Sequence, residues 1–402
     1  MRSFTWEQVW GHRLRSHALT RPVPAEKLTE LVGAVCGIHA QVNASAELSI
    51  GQRVLGVTGA DVRKALWEQR TLTRTYGIRG TVHLFPTREL PLWMAAMRAA
   101  GGQTGGRQLD VMGVDQAQFD AMVQAVGEAL AGRCLTRQDL SNEVARRLGS
   151  WVLEETFPAW GGMWPRVWLA IRAAASAGLL CFGPSAGNRV TFVNPREWIG
   201  DWKDVDGGEA LMEVCRRFLH AYGPATHQQF GQWFYLRPGP SLAVFRSFAD
   251  ELEEVDVEGG RAWILADDSD DSWEPAPDSI RLLPSFDCYV IGSHPRVRLI
   301  PRGWADGRGL TSLPDGARTG KDGLDGPLPV VVAGGVVAGM WERRNDARGR
   351  IEVRVEPFAE LTARQRGQLE AEAYRVGEIL GLEATFTLGR ASPPLAAGRL
   401  KL

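Results

Sequence analysis

The chain of 402 residues has few cysteines, no long apolar run and almost no net charge. Its five cysteines are scattered and form no C-x-x-C pair, which argues against a disulfide framework and a cysteine-ligated zinc site. No apolar run approaches the ~18 residues of a membrane helix, and no signal-peptide pattern opens the chain. These absences predict a cytoplasmic globular protein that requires no membrane, metal or cofactor.

The net charge of −1 conceals a separation of charge along the chain. Residues 1–110 carry 14 Lys or Arg against 8 Asp or Glu, whereas residues 250–278 carry 12 acidic residues against Arg261 alone. This separation predicts that the first region meets a polyanion and that the second is a solvated face. The alternative is that the two regions have unrelated surface charges, which would give the same counts.

A unit of helices followed by two short strands recurs three times along the chain. In the middle copy, residues 119–130 carry an apolar stripe, Thr136 is suited to cap the next helix, and a further helix is predicted from Pro165. The hairpins of the three copies are predicted to turn at residues 77–80, 183–188 and 259–260. A helix-turn-helix followed by a hairpin is a winged helix, so the sequence predicts three in tandem.

After Ile280 the pattern changes to strands separated by Gly- and Pro-rich turns, with "CYVIG" and "VRLIP" among the predicted strands. A polar loop, residues 303–326, is predicted to be mobile, and one long helix follows at 362–380. The predicted fold class is α+β: three tandem winged-helix domains and a C-terminal β-barrel-like domain closed by a helix. The predicted domains are residues 1–110, 111–200, 201–278 and 279–402.

Tandem winged helices predict binding to nucleic acid, because such a fold places a helix in a groove and a wing on the flanking phosphates. The first wing, residues 73–88, is the most basic of the three. It carries Arg74, Arg79, His83 and Arg88, with Tyr76 and Phe85 between them. An alternative is that about half of these arginines only solvate a hairpin. The DNA contacts predicted within residues 1–110 are Asn43, Arg53, Arg74, Arg79 and His83.

The segment His39-Ala40-Gln41 is the strongest candidate for chemistry. Inside a helix, side chains two residues apart diverge around the axis, whereas in an extended turn both can point the same way. Gly37 upstream, and Asn43 or Ser45 as a cap of the next helix, favour the turn. A histidine with a purely structural role fits the same spacing.

Several segments together resemble the winged-helix DNA glycosylases of the AlkZ type along nearly the full length of the chain. The matching segments are "GIHAQ", "RGTVHLFP", "YGPATHQQFGQW", "RLLPSFDCYVIG" and "GGVVAGMW". The resemblance implies a monofunctional enzyme that removes bulky N7-alkylguanines from double-stranded DNA. Members of that family also unhook interstrand crosslinks, and several are self-resistance proteins of antibiotic producers; the sequence of this chain leaves crosslink unhooking open.

In that family the catalytic pair is Gln-Φ-Gln or Gln-Φ-Asp, at the place of His39-Ala40-Gln41 here. Histidine at the first position departs from that pattern and resembles the branch associated with resistance to trioxacarcin-like guanine alkylators. A carboxamide such as Gln41 can hold a water at C1′, and His39 can be a second water ligand or a weak general base, with a reference pKa of ~6.5. No lysine neighbours the pair, which favours hydrolysis over a Schiff-base lyase mechanism.

Two features of the C-terminal region bear on DNA binding. The tip His294-Pro295-Arg296 lies between two predicted strands and is interpreted as a hairpin that probes the minor groove, with an ordinary polar turn as the alternative. Asp287 is interpreted as a structural residue that caps backbone N–H groups.

Two rival functions share the predicted fold. A winged-helix transcription regulator would be a dimer on a palindromic site. A non-catalytic lesion binder would keep the fold and lose only the chemistry. The glycosylase interpretation predicts a monomer, because three winged helices in one chain can already surround a duplex.

Overall fold

A computed structural model describes residues 1–101, 109, 113–159, 162–270, 273–300, 328–345 and 349–391. Contacts between residues divide the chain into two compact units that interleave along the sequence. The first unit comprises residues 1–63, 215–230 and the described part of 245–399. The second comprises the described part of 64–214 together with 231–244. The loop predicted to be mobile, residues 303–326, lies outside the described residues.

Both units contain helices and strands. The helices are α1 (Trp6–Ser16), α2 (Leu28–Ala34), α3 (Asn43–Gly51), α4 (Gly59–Trp67), α5 (Leu90–Ala99), α6 (Gln116–Leu130), α7 (Arg137–Leu148), α8 (Ile171–Ser176), α9 (Pro195–Ile199), α10 (Gly207–Tyr222), α11 (His227–Phe234), α12 (Pro238–Ser247), α13 (Cys288–Gly292), α14 (Arg296–Leu299) and α15 (Ala363–Leu380). The strands are β1 (Arg2–Phe4), β2 (Ile38–His39), β3 (Leu72–Tyr76), β4 (Val82–Pro86), β5 (Leu135–Thr136), β6 (Glu155–Ala159), β7 (Gly162–Pro165), β8 (Cys181–Ala186), β9 (Arg189–Val193), β10 (Leu252–Val257), β11 (Gly260–Leu265), β12 (Ile280–Leu283), β13 (Val330–Ala333), β14 (Val336–Asn345), β15 (Ile351–Pro357) and β16 (Ala384–Leu388). Among the described residues, no helix is long and apolar enough to cross a membrane.

Three segments show the order of three helices and then an antiparallel hairpin. They are α2–α3–α4 with β3–β4, α6–α7–α8 with β8–β9, and α10–α11–α12 with β10–β11. The helices start where caps are available; Thr136, for example, accepts a hydrogen bond from the Asp139 N–H at the start of α7. The number of winged-helix domains and their boundaries stay a prediction.

The region between α7 and β8 differs from the prediction of one helix from Pro165. A hairpin of β6 and β7 precedes a 3₁₀ turn, and α8 covers only Ile171–Ser176. Trp164 and Trp168 are spaced as on a helix, yet Trp164 lies on strand β7. Their rings still meet edge to face, with centroids 6.0 Å apart. The two tryptophans that are spaced as on a helix therefore contact each other from a strand and from the 3₁₀ turn that follows it.

The first strand of the chain joins the hairpin of the third segment. Strand β1 runs parallel to β10, with Arg2 opposite Val255 and Phe4 opposite Val257, so the sheet order is β1-β10-β11. Phe4 and Val257 are buried there beside Trp273. The sequence does not predict this pairing, because the two strands lie some 250 residues apart.

The C-terminal region forms a five-stranded half-barrel sheet in the order β12-β13-β14-β15-β16. The predicted long helix is confirmed: Thr362 and Gln365 form a reciprocal cap at the start of α15, and Gly381 ends it with φ 69°. Helix α15 connects β15 to the parallel strand β16 and covers one face of the sheet. Its Ile379 packs so closely on Gly51 of α3 that a Cβ at Gly51 would lie 2.5 Å away.

The segments "CYVIG" and "VRLIP" were predicted as strands, and that prediction is wrong. The first is helix α13, and residues 297–299 of the second belong to α14. A short apolar run does not distinguish a strand from a buried helix by period alone. Here Asp287 caps α13, and Pro295 precedes the first residue of α14.

Candidate active site

A tight chain reversal follows α2. Cys36 and Gly37 both adopt positive φ angles, of 64° and 88°. The Gly37 N–H donates to the Val32 carbonyl at 2.8 Å, which satisfies an otherwise open carbonyl at the helix end. The buried Tyr222 fixes the same reversal from α10, since its hydroxyl lies 3.2 Å from the Val35 carbonyl oxygen. The chain therefore leaves α2 along a defined path.

His39 and Gln41 lie on the non-helical segment between this reversal and α3. His39 ends strand β2, and Asn43 is the first residue of α3 rather than its cap. Ile38 and Ala40 are 0% and 1% exposed, so they belong to the core. His39 is 6% exposed and Gln41 is half-buried, which makes Gln41 the more accessible polar group. The extended backbone at His39 is the geometry that lets the two side chains address one target.

Arg53, a predicted DNA contact, lies in the interior, and that prediction is corrected. Its guanidinium forms two hydrogen bonds to the Asp287 carboxylate, of 2.8 Å and 2.7 Å, and both side chains are 0% exposed. Burial opposes the charge, but the adjacent carboxylate raises the pKa of Arg53 above its ordinary value. A guanidinium in this position cannot reach a phosphate. It joins the end of α3 to the segment before α13.

Asp287 has the structural role expected of it. The carboxylate accepts a hydrogen bond from the Tyr289 N–H at 3.0 Å and so caps α13. It also accepts from the hydroxyl of Ser49, one turn before Arg53 on the buried side of α3. The polar contacts at Asp287 hold α3, and with it the segment that carries His39 and Gln41.

Arg74 and His83 of the first wing are also buried, so their predicted contacts to DNA are corrected. Arg74 is 9% exposed and packs over the Phe182 ring at 4.4 Å, and burial lowers the pKa of its guanidinium to about 10. His83 is 1% exposed, and burial lowers its pKa to about 3. All residues of β3 up to Thr75 are buried, so neither face of the strand is exposed to solvent over that length.

Arg79 lies at the turn of this wing and is half-buried. Its Nη1 donates to the Trp233 carbonyl at 2.7 Å, near the end of α11. Asn43, at the start of α3, is exposed. Of the DNA contacts predicted in the first 110 residues, Asn43 and Arg79 therefore keep accessible surface.

The tip His294-Pro295-Arg296 connects α13 to α14 and is not a hairpin between strands, so the predicted hairpin is wrong, while the contact to the minor groove stays a prediction. His294 is 7% exposed, and its carbonyl accepts from the Arg13 guanidinium at 2.9 Å. Arg296 donates to the Ile291 carbonyl at 3.3 Å and is half-buried. Arg13 is itself 2% exposed. In the sequence it resembles an ordinary surface cation of an amphipathic helix, so its burial could not be predicted.

Comparisons with known proteins give one consistent result. A family model described as DNA glycosylase AlkZ-like matches residues 32–379. The interstrand DNA cross-link repair glycosylase of Streptomyces sahachiroi is 31% identical over 387 residues, which cover 94% of this chain and 97% of the relative. The solved structure of the S. sahachiroi DNA glycosylase AlkZ is similar with a TM-score of 0.81 at 28% identity, over 97% of this chain and 100% of that one. The range matched by the family model contains His39, Gln41 and the Arg53–Asp287 pair.

Proposed function

The chain belongs to the AlkZ-like family of DNA glycosylases, and we propose that it hydrolyses the N-glycosidic bond of bulky N7-alkylguanines in double-stranded DNA. The observation that carries the proposal is the segment His39-Ala40-Gln41. It supplies two polar side chains, separated by a buried residue, on a backbone held outside any helix.

The chemistry requires little acid–base strength from these residues. Alkylation at N7 makes the guanine cationic, so the base leaves with the electrons of the C1′–N9 bond without strong protonation. The enzyme must position a water and stabilise the oxocarbenium-like sugar. In this mechanism Gln41 holds the water through its carboxamide, and neutral His39 orients it and accepts its proton as the oxygen bonds to C1′.

The proposed glycosylase activity extends to a further substrate, a biological role and an oligomeric state. The printed name of the S. sahachiroi relative supports cross-linked DNA as a further substrate. Histidine at the first catalytic position supports self-resistance against a guanine-alkylating antibiotic as the biological role. Three segments with the order of helices and then a hairpin, in one chain, support a monomer that binds duplex DNA through several elements.

The test is incubation of the protein with duplexes that carry a single N7-methylguanine or a single bulky N7 adduct. Abasic sites are then converted to strand breaks with alkali and resolved on a gel. We expect breaks at the adduct with the wild type and none with the His39→Ala/Gln41→Ala double variant. Binding of the adducted duplexes without breaks would instead identify a regulator or a lesion binder.

A further inference from the structure

Tyr235 occupies an unusual position in the turn between α11 and α12. It directly follows α11, and the next residue, Leu236, donates its N–H to the Gly231 carbonyl at 2.8 Å. This bond defines a helix end in which the first residue beyond the helix is left-handed and is usually glycine. Tyr235 takes that conformation with φ 67°, while its side chain is 80% exposed.

A tyrosine in this conformation costs folding free energy that its own contacts do not offset. Gly381, which follows α15, takes the equivalent left-handed conformation with φ 69°. At Tyr235 the Cβ is strained against its own carbonyl, and the exposed ring has little packing to compensate. Such outliers concentrate at functional sites, where the surrounding structure holds them in place.

The turn around Tyr235 is held in place by its neighbours. Leu236 is 7% exposed and anchors the turn in the interior. A Cβ at Gly231 would lie 2.8 Å from the Leu236 carbonyl oxygen, so the turn packs directly on α11. The Arg79 guanidinium donates to the Trp233 carbonyl, two residues before Tyr235. The ring of Tyr235 is therefore presented to solvent from a preorganised backbone.

The charge around the turn fits a polyanion. Residues 214–249 contain four arginines and no Asp or Glu. One of the four, Arg216, is paired with Glu251. Another, Arg237, is exposed two residues after Tyr235 and directly before α12. In a helix-turn-helix, the start of the second helix is the part that meets DNA.

We infer that Tyr235 and Arg237 form a lesion-independent contact to duplex DNA. The Tyr235 ring packs against a sugar and base edge, and the Arg237 guanidinium pairs with a neighbouring phosphate. The identity of the ligand rests on the proposed function, but the contact itself is tested on unmodified DNA, without excision.

The experiment measures affinity for an unmodified 20-base-pair fluorescent duplex by anisotropy, together with the melting temperature of each variant. Tyr235→Gly should weaken binding roughly fivefold or more, as expected for the loss of the apolar surface that the ring buries against the DNA. Its melting temperature should stay equal or rise, because glycine removes the backbone strain. Tyr235→Phe keeps the ring and should bind within about twofold of the wild type, because it buries the same apolar surface.

Arg237→Ala should lower affinity and reduce the salt slope by about one unit. Tyr374→Ala and Arg366→Ala, two exposed residues of the same types on α15, serve as matched controls and should bind like the wild type.

Unchanged affinity of Tyr235→Gly would overturn the inference, as would a loss of affinity that follows a loss of melting temperature. A wild type that binds the duplex but leaves N7 adducts in place would refute the proposed function alone. The Tyr235 contact would then still be judged by its own variants.

Discussion

Replacement of Asp287 by asparagine would leave the Arg53 guanidinium buried without its counter-charge. Both side chains are 0% exposed and are joined by contacts of 2.7 Å and 2.8 Å. Removal of one partner of a fully buried pair costs about 3–5 kcal/mol, because the remaining charge keeps its desolvation penalty. The asparagine carbonyl can still cap Tyr289, so the loss of stability should come mainly from the missing charge.

Urea-induced unfolding at pH 7, followed by circular dichroism, measures this loss. The double variant Arg53→Met/Asp287→Leu should recover much of it, since neither charge is then buried. The exposed pair Arg2–Glu253, 41% and 31% exposed, is the control: Glu253→Gln should cost at most about 1 kcal/mol. A cost of at most about 1 kcal/mol for Asp287→Asn would mean that the Arg53 guanidinium is solvated and does not depend on its buried counter-charge.

Two further predictions concern the corrected contacts of the first wing. Burial lowers the pKa of His83 to about 3. Below pH ~6.5 the unfolded chain therefore binds a proton that the folded chain does not. The free energy of unfolding should fall by about 1.4 kcal/mol for each unit by which the pH is lowered. His83→Phe should make the fall in unfolding free energy between pH 6 and pH 4 shallower by that amount, and an unchanged slope would contradict the assignment. Arg74→Ala should lower the melting temperature and leave the salt dependence of DNA binding unchanged; a smaller salt slope at constant melting temperature would show that Arg74 reaches a phosphate.

Local patterns predicted those parts of the fold whose causes are local. The cap formed by Thr362 and Gln365 and the strong helix formers after it specify α15 to within one residue. The glycine pair at 259–260 places the turn of β10 and β11, since Gly260 is opposite Val257 in the register. The extended segment at His39 follows from the glycine before it and the helix after it.

Burial of cations could not be predicted, because the partners that bury them are distant in sequence. Asp287 lies 234 positions from Arg53, and Phe182 packs on Arg74 from another hairpin. From sequence, each of these arginines looks like a surface cation beside a DNA-binding element. The left-handed conformation of Tyr235 could not be predicted either, because it is visible only in the backbone angles.

We propose that His39 and Gln41 position the water that cleaves the N-glycosidic bond. Single-turnover excision of an N7-alkylguanine and binding to the same adducted duplex test it in parallel. His39→Ala and Gln41→Ala should each slow excision by about 10²-fold or more and leave binding unchanged, in the range of general acid–base contributions. His39→Gln, which restores the Gln-Φ-Gln pattern of the family, should retain more activity than His39→Ala. Excision at the wild-type rate by either alanine variant, or a parallel loss of binding and excision, would contradict the claim.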